Sequence, residues 1–238
     1  MAFYFWILMI IVSIVCVSGV ELSYQFARLT GRPLDGRAQH KWAVRWGRSA
    51  FRFMPGWNIE VSGREYLPES NTATMIVANH ESMTDILAMY FLGTQFRWLS
   101  KMEVKKVPLI GRAMTLLGYV FINRGNKQSH EQAMQECRDI LDSGVSMFFF
   151  PEGTRSVDGR IKNFKYGAFK LAKEANVDIQ PIVIKGAGKL MQKGGKLPGR
   201  TTVKVQVLPQ IPIGTKESFE DLAVYTREKI VEAHEKII

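Results

Sequence analysis

The sequence predicts an α/β protein in which a mixed sheet is flanked by helices and preceded by an N-terminal membrane-anchoring helical segment. Three observations lead to this prediction. Short apolar runs alternate with helical patterns beyond residue 56, residues 1–20 hold no charged side chain, and a basic helical pattern follows. At 238 residues the chain can bury a sizeable core. We expect an anchor with a basic amphipathic helix over residues 1–54 and a globular domain over residues 55–238.

The charge-free start of the chain has the length of a membrane helix. Twenty helical residues reach roughly 30 Å, the hydrocarbon thickness of a bilayer. A cleaved signal peptide is the alternative, but no basic side chain precedes the apolar run and no A-x-A-like cleavage site stands out. Basic residues after the segment favour the cytoplasmic side for the residues beyond it. We predict a retained anchor, spanning or monotopic, with the rest of the chain on the cytoplasmic face of the inner (plasma) membrane.

The segment 36–53 has the pattern of a basic amphipathic helix. Its cations recur at helical spacing and are Arg37, Lys41, Arg45, Arg48 and Arg52. An adjacent apolar stripe is formed by Ala38, Trp42, Trp46, Ala50 and Phe53. Such a helix suits the headgroup region of an anionic bilayer. The alternative is a helix that packs on its own domain and exposes its charged face to water.

The formal net charge of +10 also raises the question of a nucleic-acid partner. The sequence contains no zinc-knuckle spacing, no RNP-type aromatic motif and no clear helix-turn-helix pattern. We therefore predict a membrane surface as the partner and no nucleic acid. Cys16 and Cys137 are expected to be unpaired thiols.

Alternating strand and helix signals define the globular domain. Strands are predicted over residues 57–62, 74–78, 96–100, 119–123, 145–150, 179–185 and 201–207. Helices are predicted over residues 84–91, 107–117, 129–143, 166–175 and 218–238. Ser218 is the expected N-cap of the last helix. The expected buried side of that helix consists of Phe219, Leu222, Tyr225, Ile230, Ala233 and Ile237. The Gly- and Lys-rich segment 185–199 is predicted to be a loop.

His80 and Asp85 follow the second predicted strand and are five positions apart. On one continuous helix they would point about 140° apart. They can meet if His80 ends the loop and Asp85 lies in the first turns of the next helix. A carboxylate bonded to one ring nitrogen fixes the tautomer and leaves the other nitrogen free as a base. Taken alone, the pair could also be a loop histidine that caps its neighbour.

A Pro-Glu-Gly-Thr-Arg-Ser turn directly follows the predicted strand 145–150. Ligand sites in α/β sheets lie outside the carboxyl ends of strands. Gly153 permits close backbone approach, Thr154 offers a hydroxyl, and Arg155 can bind phosphate bidentately. Glu152 could orient Arg155 or contact a substrate hydroxyl. The alternative is an ordinary turn with an exposed arginine.

Arg124 repeats this arrangement at the end of the predicted strand 119–123. Two arginines that each follow a strand favour a phosphate-binding site more strongly than one arginine does. Together with His80 and Asp85, they suggest proton abstraction beside a bound phosphate.

Four stretches of the sequence resemble, in order, the motif blocks of the 1-acyl-sn-glycerol-3-phosphate acyltransferase (PlsC-like) family. Asn79–Asp85 matches the N-H-x-x-x-x-D block. Gly118–Arg124 resembles the second block, with Asn123 where the family often has Asp. Phe150–Ser156 matches the third, and Ile179–Ile184 resembles the fourth. Four blocks in the right order are far more specific than any single one.

The resemblance implies a reaction. An acyl chain would pass from an acyl thioester, acyl-CoA or acyl carrier protein, to the sn-2 hydroxyl of 1-acyl-sn-glycerol 3-phosphate (lysophosphatidic acid). The product would be phosphatidic acid, in phospholipid biosynthesis. Residues 55–238 would then be the acyltransferase domain, working at a phospholipid membrane without a metal or a cofactor. The rivals are a relative that uses another acceptor, such as glycerol 3-phosphate or a lyso-aminolipid, and a non-enzymatic lipid-binding protein.

The resemblance also implies roles for individual residues. His80 would take the proton from the attacking hydroxyl while Asp85 holds its imidazole. The residues expected at the acceptor and its phosphate are Arg124, Glu152, Gly153, Thr154 and Arg155. Lys101 is a candidate for stabilising the oxyanion, and its alternative interpretation is a solvated surface lysine.

Overall fold

Helices and strands alternate along the chain as the sequence predicts. The computed structural model describes residues 2–34, 36–69, 72–123, 125–156, 159–191 and 200–237. The helices in these residues are α1 (Ala2–Leu29), α2 (Arg37–Phe53), α3 (Thr84–Met89), α4 (Met102–Lys105), α5 (Ile110–Leu116), α6 (Lys127–Asp142), α7 (Gly167–Ala175) and α8 (Phe219–Lys236). The strands are β1 (Trp57–Ser62), β2 (Met75–Ala78), β3 (Phe96–Lys101), β4 (Val120–Ile122), β5 (Ser146–Phe149), β6 (Ile179–Lys185) and β7 (Thr201–Val207).

The chain divides into two compact units. The first comprises Met1–Pro55 and Arg97–Cys137, and the second comprises Gly56–Phe96 and Arg138–Ile238. The predicted division into an anchoring segment over residues 1–54 and a globular domain over residues 55–238 assigns functions to the two parts, and that assignment stays a prediction.

The second unit is built on a mixed sheet, which confirms the predicted fold class. Its strands lie in the order β1-β7-β6-β2-β5. Only the β6–β7 pair is antiparallel within this set, and the other pairs are parallel. β2 and β6 are buried almost throughout, as strands covered on both faces are. Because β2 and β5 are parallel, the segments that follow Ala78 and Phe149 leave the same edge of the sheet.

In the first unit, α1 and α2 pack closely against each other. The Trp46 indole N–H donates to Ser13 Oγ at 2.9 Å. A Cβ placed on Gly19 would lie 2.3 Å from the Trp42 ring, so that ring rests directly on the α1 backbone. The same unit contains the parallel pair β3–β4, with Leu99 opposite Val120.

The predicted apolar stripe of α2 and the residues that the fold buries overlap only in part. The buried residues are Gln39, His40, Ala43, Gly47, Ala50 and Phe51. Of the predicted stripe only Ala50 is buried, while Ala38 and Phe53 are exposed. Trp42 and Trp46 are half-buried and contact α1, so these two members of the stripe pack within the unit. All five basic side chains of the helix are exposed, so the basic face is open.

Within the described residues, one helix is long and apolar enough to cross a bilayer. It covers Tyr4–Leu29, with a mean hydropathy of 2.4, and only 28% of its most apolar stretch is buried. Its large exposed apolar side chains are Tyr4, Trp6, Ile7, Ile10, Ile11, Ile14, Val15, Leu22, Phe26 and Leu29. Its length and composition suggest membrane association.

One predicted helix begins three residues later than expected, and an additional short helix precedes it. The segment predicted as a helix over 107–117 begins only at Ile110, and the separate helix α4 precedes it. Pro108 explains the break, because it disfavours helical backbone at the preceding residue and has no N–H to donate. Leu109 then adopts a left-handed φ of 64°.

The C-terminal helix begins where the sequence predicts. Ser218 Oγ accepts the Asp221 backbone N–H at 3.0 Å, which confirms the N-cap. The buried face consists of Leu222, Ala223, Thr226 and Ile230. Leu222 and Ile230 were predicted; the other four predicted members are only half-buried. The loop predicted over 185–199 begins with Lys185 still in β6, and residues 192–199 lie outside the described residues. Cys16 and Cys137 are free thiols, as expected.

We expect replacement of Gly19 by alanine to destabilise the α1–α2 contact. The new methyl group would overlap the Trp42 ring, and such overpacking typically costs about 1–3 kcal/mol. Thermal unfolding of the detergent-solubilised protein measures the change. Gly167→Ala is the matched control, because a Cβ at that helical glycine meets nothing within 4 Å. An unchanged melting temperature for Gly19→Ala would contradict the packing described.

Candidate active site

The structure brings His80 and Asp85 into direct contact. His80 lies in the loop after β2, and Asp85 is the second residue of α3. His80 Nδ1 and Asp85 Oδ2 are 2.7 Å apart. This is the loop-and-helix arrangement that the five-residue spacing required.

Asp85 is fully buried, and one of its oxygens carries all of its hydrogen bonds. Oδ2 accepts the backbone N–H of Glu81 at 2.7 Å and that of Ser82 at 2.9 Å. Because Oδ2 accepts two backbone N–H groups, it carries no proton that it could donate to the imidazole. His80 Nδ1 is therefore the donor in the bond between His80 and Asp85. Oδ1 has no partner among the described residues. Burial raises the pKa of the Asp85 carboxyl above its usual value, and the bond from His80 opposes that rise.

The remaining ring nitrogen of His80 is available as a base. Nε2 forms no hydrogen bond within the part of the chain that the structure describes, and the side chain is 13% exposed. The ring stacks on Phe150, with centroids 4.0 Å apart and planes 12° apart. Phe150, the first residue of the third sequence block, therefore packs against His80 of the first block.

Backbone hydrogen bonds attach His80 to the turn after β5. Its N–H donates to Glu152 Oε1 at 2.7 Å, and its C=O accepts the Ser156 N–H at 2.8 Å. His80 is thus held by the Phe150–Ser156 segment at its ring, its amide and its carbonyl. The first and third sequence blocks, Asn79–Asp85 and Phe150–Ser156, are therefore in direct contact.

Glu152 uses both carboxylate oxygens on backbone groups. Oε2 accepts the Lys162 N–H at 3.0 Å, and the residue is 4% exposed. Glu152 forms no ion pair with Arg155, so it does not orient that arginine. Burial raises the pKa of Glu152, while the bonds from Lys162 and His80 oppose the rise. The carboxylate fastens the His80 loop to the segment that contains Lys162.

The surface of the same turn is cationic. Gly153 has a left-handed φ of 72°, and a Cβ there would lie 3.0 Å from Lys165 Nζ. Lys162 Nζ donates to Thr154 Oγ1 at 3.3 Å and to the Arg155 carbonyl at 3.1 Å. Among the described residues, no carboxylate pairs with the exposed side chains of Arg155, Lys162 or Lys165. Sequence reasoning missed both lysines because nothing in their spacing separates them from ordinary surface lysines.

The positions of two predicted site residues relative to this cluster are not established by the structure. Lys101 is the exposed last residue of β3 and belongs to the first unit. Arg124 lies outside the described residues. Their roles stay predictions.

Asn79 has a structural role that sequence reasoning did not assign. Its amide nitrogen donates to the Ile184 carbonyl, and its amide oxygen accepts the Ile184 N–H, both at 2.8 Å. This residue of the first block therefore pairs with β6, which carries the fourth block. Within the described part of the chain, no group of three His, Cys, Asp or Glu side chains could hold a metal ion.

The arrangement is suited to deprotonating a hydroxyl group near an anion. A buried carboxylate fixes the imidazole, its outer nitrogen has no partner in the described residues, and the adjoining turn carries the exposed cations Arg155, Lys162 and Lys165. A bound phosphate would supply the missing negative charge.

Comparisons with known proteins identify the family to which the chain belongs. The family model named Acyltransferase matches residues 58–185. A 1-acyl-sn-glycerol-3-phosphate acyltransferase of Chlamydomonas reinhardtii is 40% identical over 154 residues, which are 63% of this chain and 46% of that protein. A chloroplastic one of Arabidopsis thaliana is 38% identical, over 69% of this chain and 46% of its own length. The chain thus spans about half the length of these relatives.

A human relative is covered more fully. The 1-acyl-sn-glycerol-3-phosphate acyltransferase beta of Homo sapiens is 31% identical over 82% of this chain and 69% of its own length. The crystal structure of the 1-acyl-sn-glycerophosphate acyltransferase PlsC from Thermotoga maritima superposes with a TM-score of 0.85. That match covers 99% of this chain and 94% of the other at 24% identity, and it confirms the fold.

Proposed function

Because the chain belongs to the acyltransferase family, we propose that it acylates the sn-2 hydroxyl of 1-acyl-sn-glycerol 3-phosphate and forms phosphatidic acid. The observation that carries the proposal is the 2.7 Å contact between His80 Nδ1 and Asp85 Oδ2, beside a cationic turn. The names of the relatives support the same acceptor. The donor is an acyl thioester, acyl-CoA or acyl carrier protein.

The chemistry needs one base and no covalent enzyme intermediate. His80 Nε2 takes the proton of the acceptor hydroxyl as that oxygen attacks the thioester carbonyl. Asp85 stabilises the imidazolium that forms. When the tetrahedral intermediate collapses, the carbon–sulfur bond breaks, and the leaving thiolate takes the proton from His80. The products are the ester and a free thiol, and Lys101 is the proposed group for stabilising the oxyanion.

Arg155 and Arg124 are the proposed ligands of the acceptor phosphate. Guanidinium groups bind phosphate through paired, charge-assisted hydrogen bonds. Arg155 is exposed and has no acidic partner in the described residues, so its charge is available. Thr154 and Gly153 belong to the same turn. The Glu152 carboxylate stabilises that turn by accepting the backbone N–H groups of His80 and Lys162.

The N-terminal segment is proposed as the membrane anchor of this enzyme, with residues 55–238 as the catalytic domain. Exposed apolar side chains along α1 and the open basic face of α2 support this assignment. Both substrate and product are lipids, so a site at the bilayer surface can receive them directly. The cytoplasmic side of the inner (plasma) membrane is the proposed location.

An acyl-transfer assay tests the proposal. Purified protein in detergent is given lysophosphatidate with acyl-CoA or with acyl carrier protein, and the product is identified by mass spectrometry. Phosphatidic acid is the expected product. Glycerol 3-phosphate and a lyso-aminolipid are offered in parallel. Faster acylation of either would replace the proposed acceptor, and no acylation of any acceptor would overturn the proposed activity.

We expect Arg155→Ala to raise KM for lysophosphatidate by roughly ten- to hundredfold. Hydrogen bonds to charged groups contribute about 1.5–3 kcal/mol, which corresponds to that range. The KM of the thioester should change much less. Arg138→Ala, which removes a partly exposed arginine from α6, is the control. An unchanged KM for lysophosphatidate would remove Arg155 from the acceptor site.

A further inference from the structure

Side chains between His80 and Asp85 fasten the catalytic loop to the turn 186–191, which follows β6. Three hydrogen bonds make this attachment: Gly188 N–H to Glu81 Oε2 at 3.1 Å, Ser82 Oγ–H to Met191 O at 3.0 Å, and Thr84 Oγ1–H to Ala187 O at 3.0 Å. The motif N-H-x-x-x-x-D leaves these positions open. In this chain they connect the base and its acid to a distant part of the fold.

Glu81 extends the attachment to the C-terminal helix. Its Oε1 lies 3.3 Å from Nε2 of His234, in the last turn of α8. The two side chains are only 10% and 18% exposed. A carboxylate that is largely shielded from water needs polar partners to offset its lost hydration, and Gly188 and His234 supply them. Lys185 Nζ donates to the His234 carbonyl at 3.1 Å, so β6 holds the same turn of α8.

Glu81 is also connected to the reacting pair through its backbone. Its N–H donates to Asp85 Oδ2 at 2.7 Å, and that same oxygen holds His80 Nδ1. A shift of Glu81 therefore moves a donor of the oxygen that orients the imidazole. A misplacement of about 1 Å near a reacting centre can reduce the rate by about a hundredfold.

We propose that Glu81 is a positioning residue for the His80–Asp85 pair, held in place by Gly188 and His234. The last turn of α8 is thereby part of the scaffold of the active site, although no sequence block includes it. The prediction for activity rests on the proposed acyltransferase function. The structural part of the proposal does not.

The kinetic test compares Glu81→Ala, His234→Ala and the double variant in the acyl-transfer assay. Glu81→Ala is expected to lower kcat by roughly ten- to hundredfold, with little change in either KM. His234→Ala is expected to lower kcat less. The double variant should be no slower than Glu81→Ala, because both substitutions remove the same link. An additive double variant would overturn the connection between the two residues.

A second readout follows the imidazole itself. The far-downfield proton resonance of His80 Nδ1–H reports its bond to Asp85 in the detergent-solubilised full chain. Glu81→Ala is expected to shift or broaden this resonance. Two controls should leave it and kcat unchanged: Glu232→Ala, which breaks surface ion pairs on α8, and His130→Ala, which removes an exposed histidine from α6.

Several outcomes separate positioning from mere structural support. Wild-type kcat and an unshifted resonance in Glu81→Ala would overturn the proposal. So would a lowered melting temperature with unchanged kcat per folded molecule. If Glu81→Ala does not fold, Glu81→Gln and His234→Ala replace it in the test of the proposal. The amide of Glu81→Gln still accepts the Gly188 N–H, but the negative charge beside His234 is gone. Non-additive losses of kcat in these two are expected, and wild-type kcat in both would overturn the proposal.

The two readouts also distinguish two kinds of failure. If the wild-type protein acylates none of the acceptors offered, the proposed function fails. The resonance comparison between wild type and Glu81→Ala then still decides whether Glu81 positions the histidine.

Discussion

Replacing His80 with alanine is expected to lower kcat by about 10²–10⁴-fold, the usual contribution of a positioned general base. The ring is the group in contact with Asp85, and its Nε2 is free. Alanine leaves the backbone bonds to Glu152 and Ser156 available, so the turn should keep its shape. The acyl-transfer assay and the melting temperature together measure the effect.

The same variant separates an enzyme from a lipid-binding protein. Binding of lysophosphatidate to His80→Ala should be retained, because the proposed phosphate ligands are untouched. His130→Ala is the matched control, since it removes an exposed histidine from α6. If His80→Ala keeps more than a tenth of the wild-type rate, this residue is not the base.

Substitutions of Asp85 should have an effect of comparable size, and the order of the Asp85 variants is specific to this geometry. Asp85→Ala removes the only described partner of His80 Nδ1, and we expect kcat to fall by about four orders of magnitude, as when an orienting aspartate is removed from a catalytic triad. Asp85→Asn should be less severe. Its amide oxygen can occupy the position of Oδ2 and keep the bonds from Glu81 and Ser82.

The asparagine variant carries a separate penalty in stability. Its amide nitrogen would occupy the position of Oδ1, which has no partner among the described residues. A buried donor without a partner typically costs about 1–3 kcal/mol. We therefore expect a lower melting temperature for Asp85→Asn together with a higher kcat than that of Asp85→Ala. Equal rates for the two variants would show that charge, and not orientation, is what Asp85 supplies.

Local signals in the sequence were enough to predict the His80–Asp85 contact. The two residues are close in the chain, and the start of α3 between them follows from ordinary helix geometry. β1, β6 and β7 are also predicted to the residue, and Gly56, Gly63 and Gly186 border the first two of these strands. The break before α5 had a readable signal in Pro108 that the prediction did not use.

Contacts over long sequence distances could not be predicted. Glu152 bonds to the backbone of His80 only because β2 and β5 are neighbours in a particular register. The sequence around a carboxylate in a polar turn does not show whether the side chain will contact a substrate or accept a backbone N–H group. The buried face of α2 could not be predicted for a related reason: both its tryptophans and its small residues repeat at helical spacing, and the sequence alone does not show which of them the fold buries.

The uncovered apolar side of α1 has a consequence for how this protein is studied. A protein held at an interface by such a helix samples substrate in two dimensions, so its velocity follows the mole fraction of lipid in the micelle or vesicle. Adding inert detergent at constant total substrate would slow the reaction by surface dilution. Kinetic constants for such a protein are meaningful only in interfacial units.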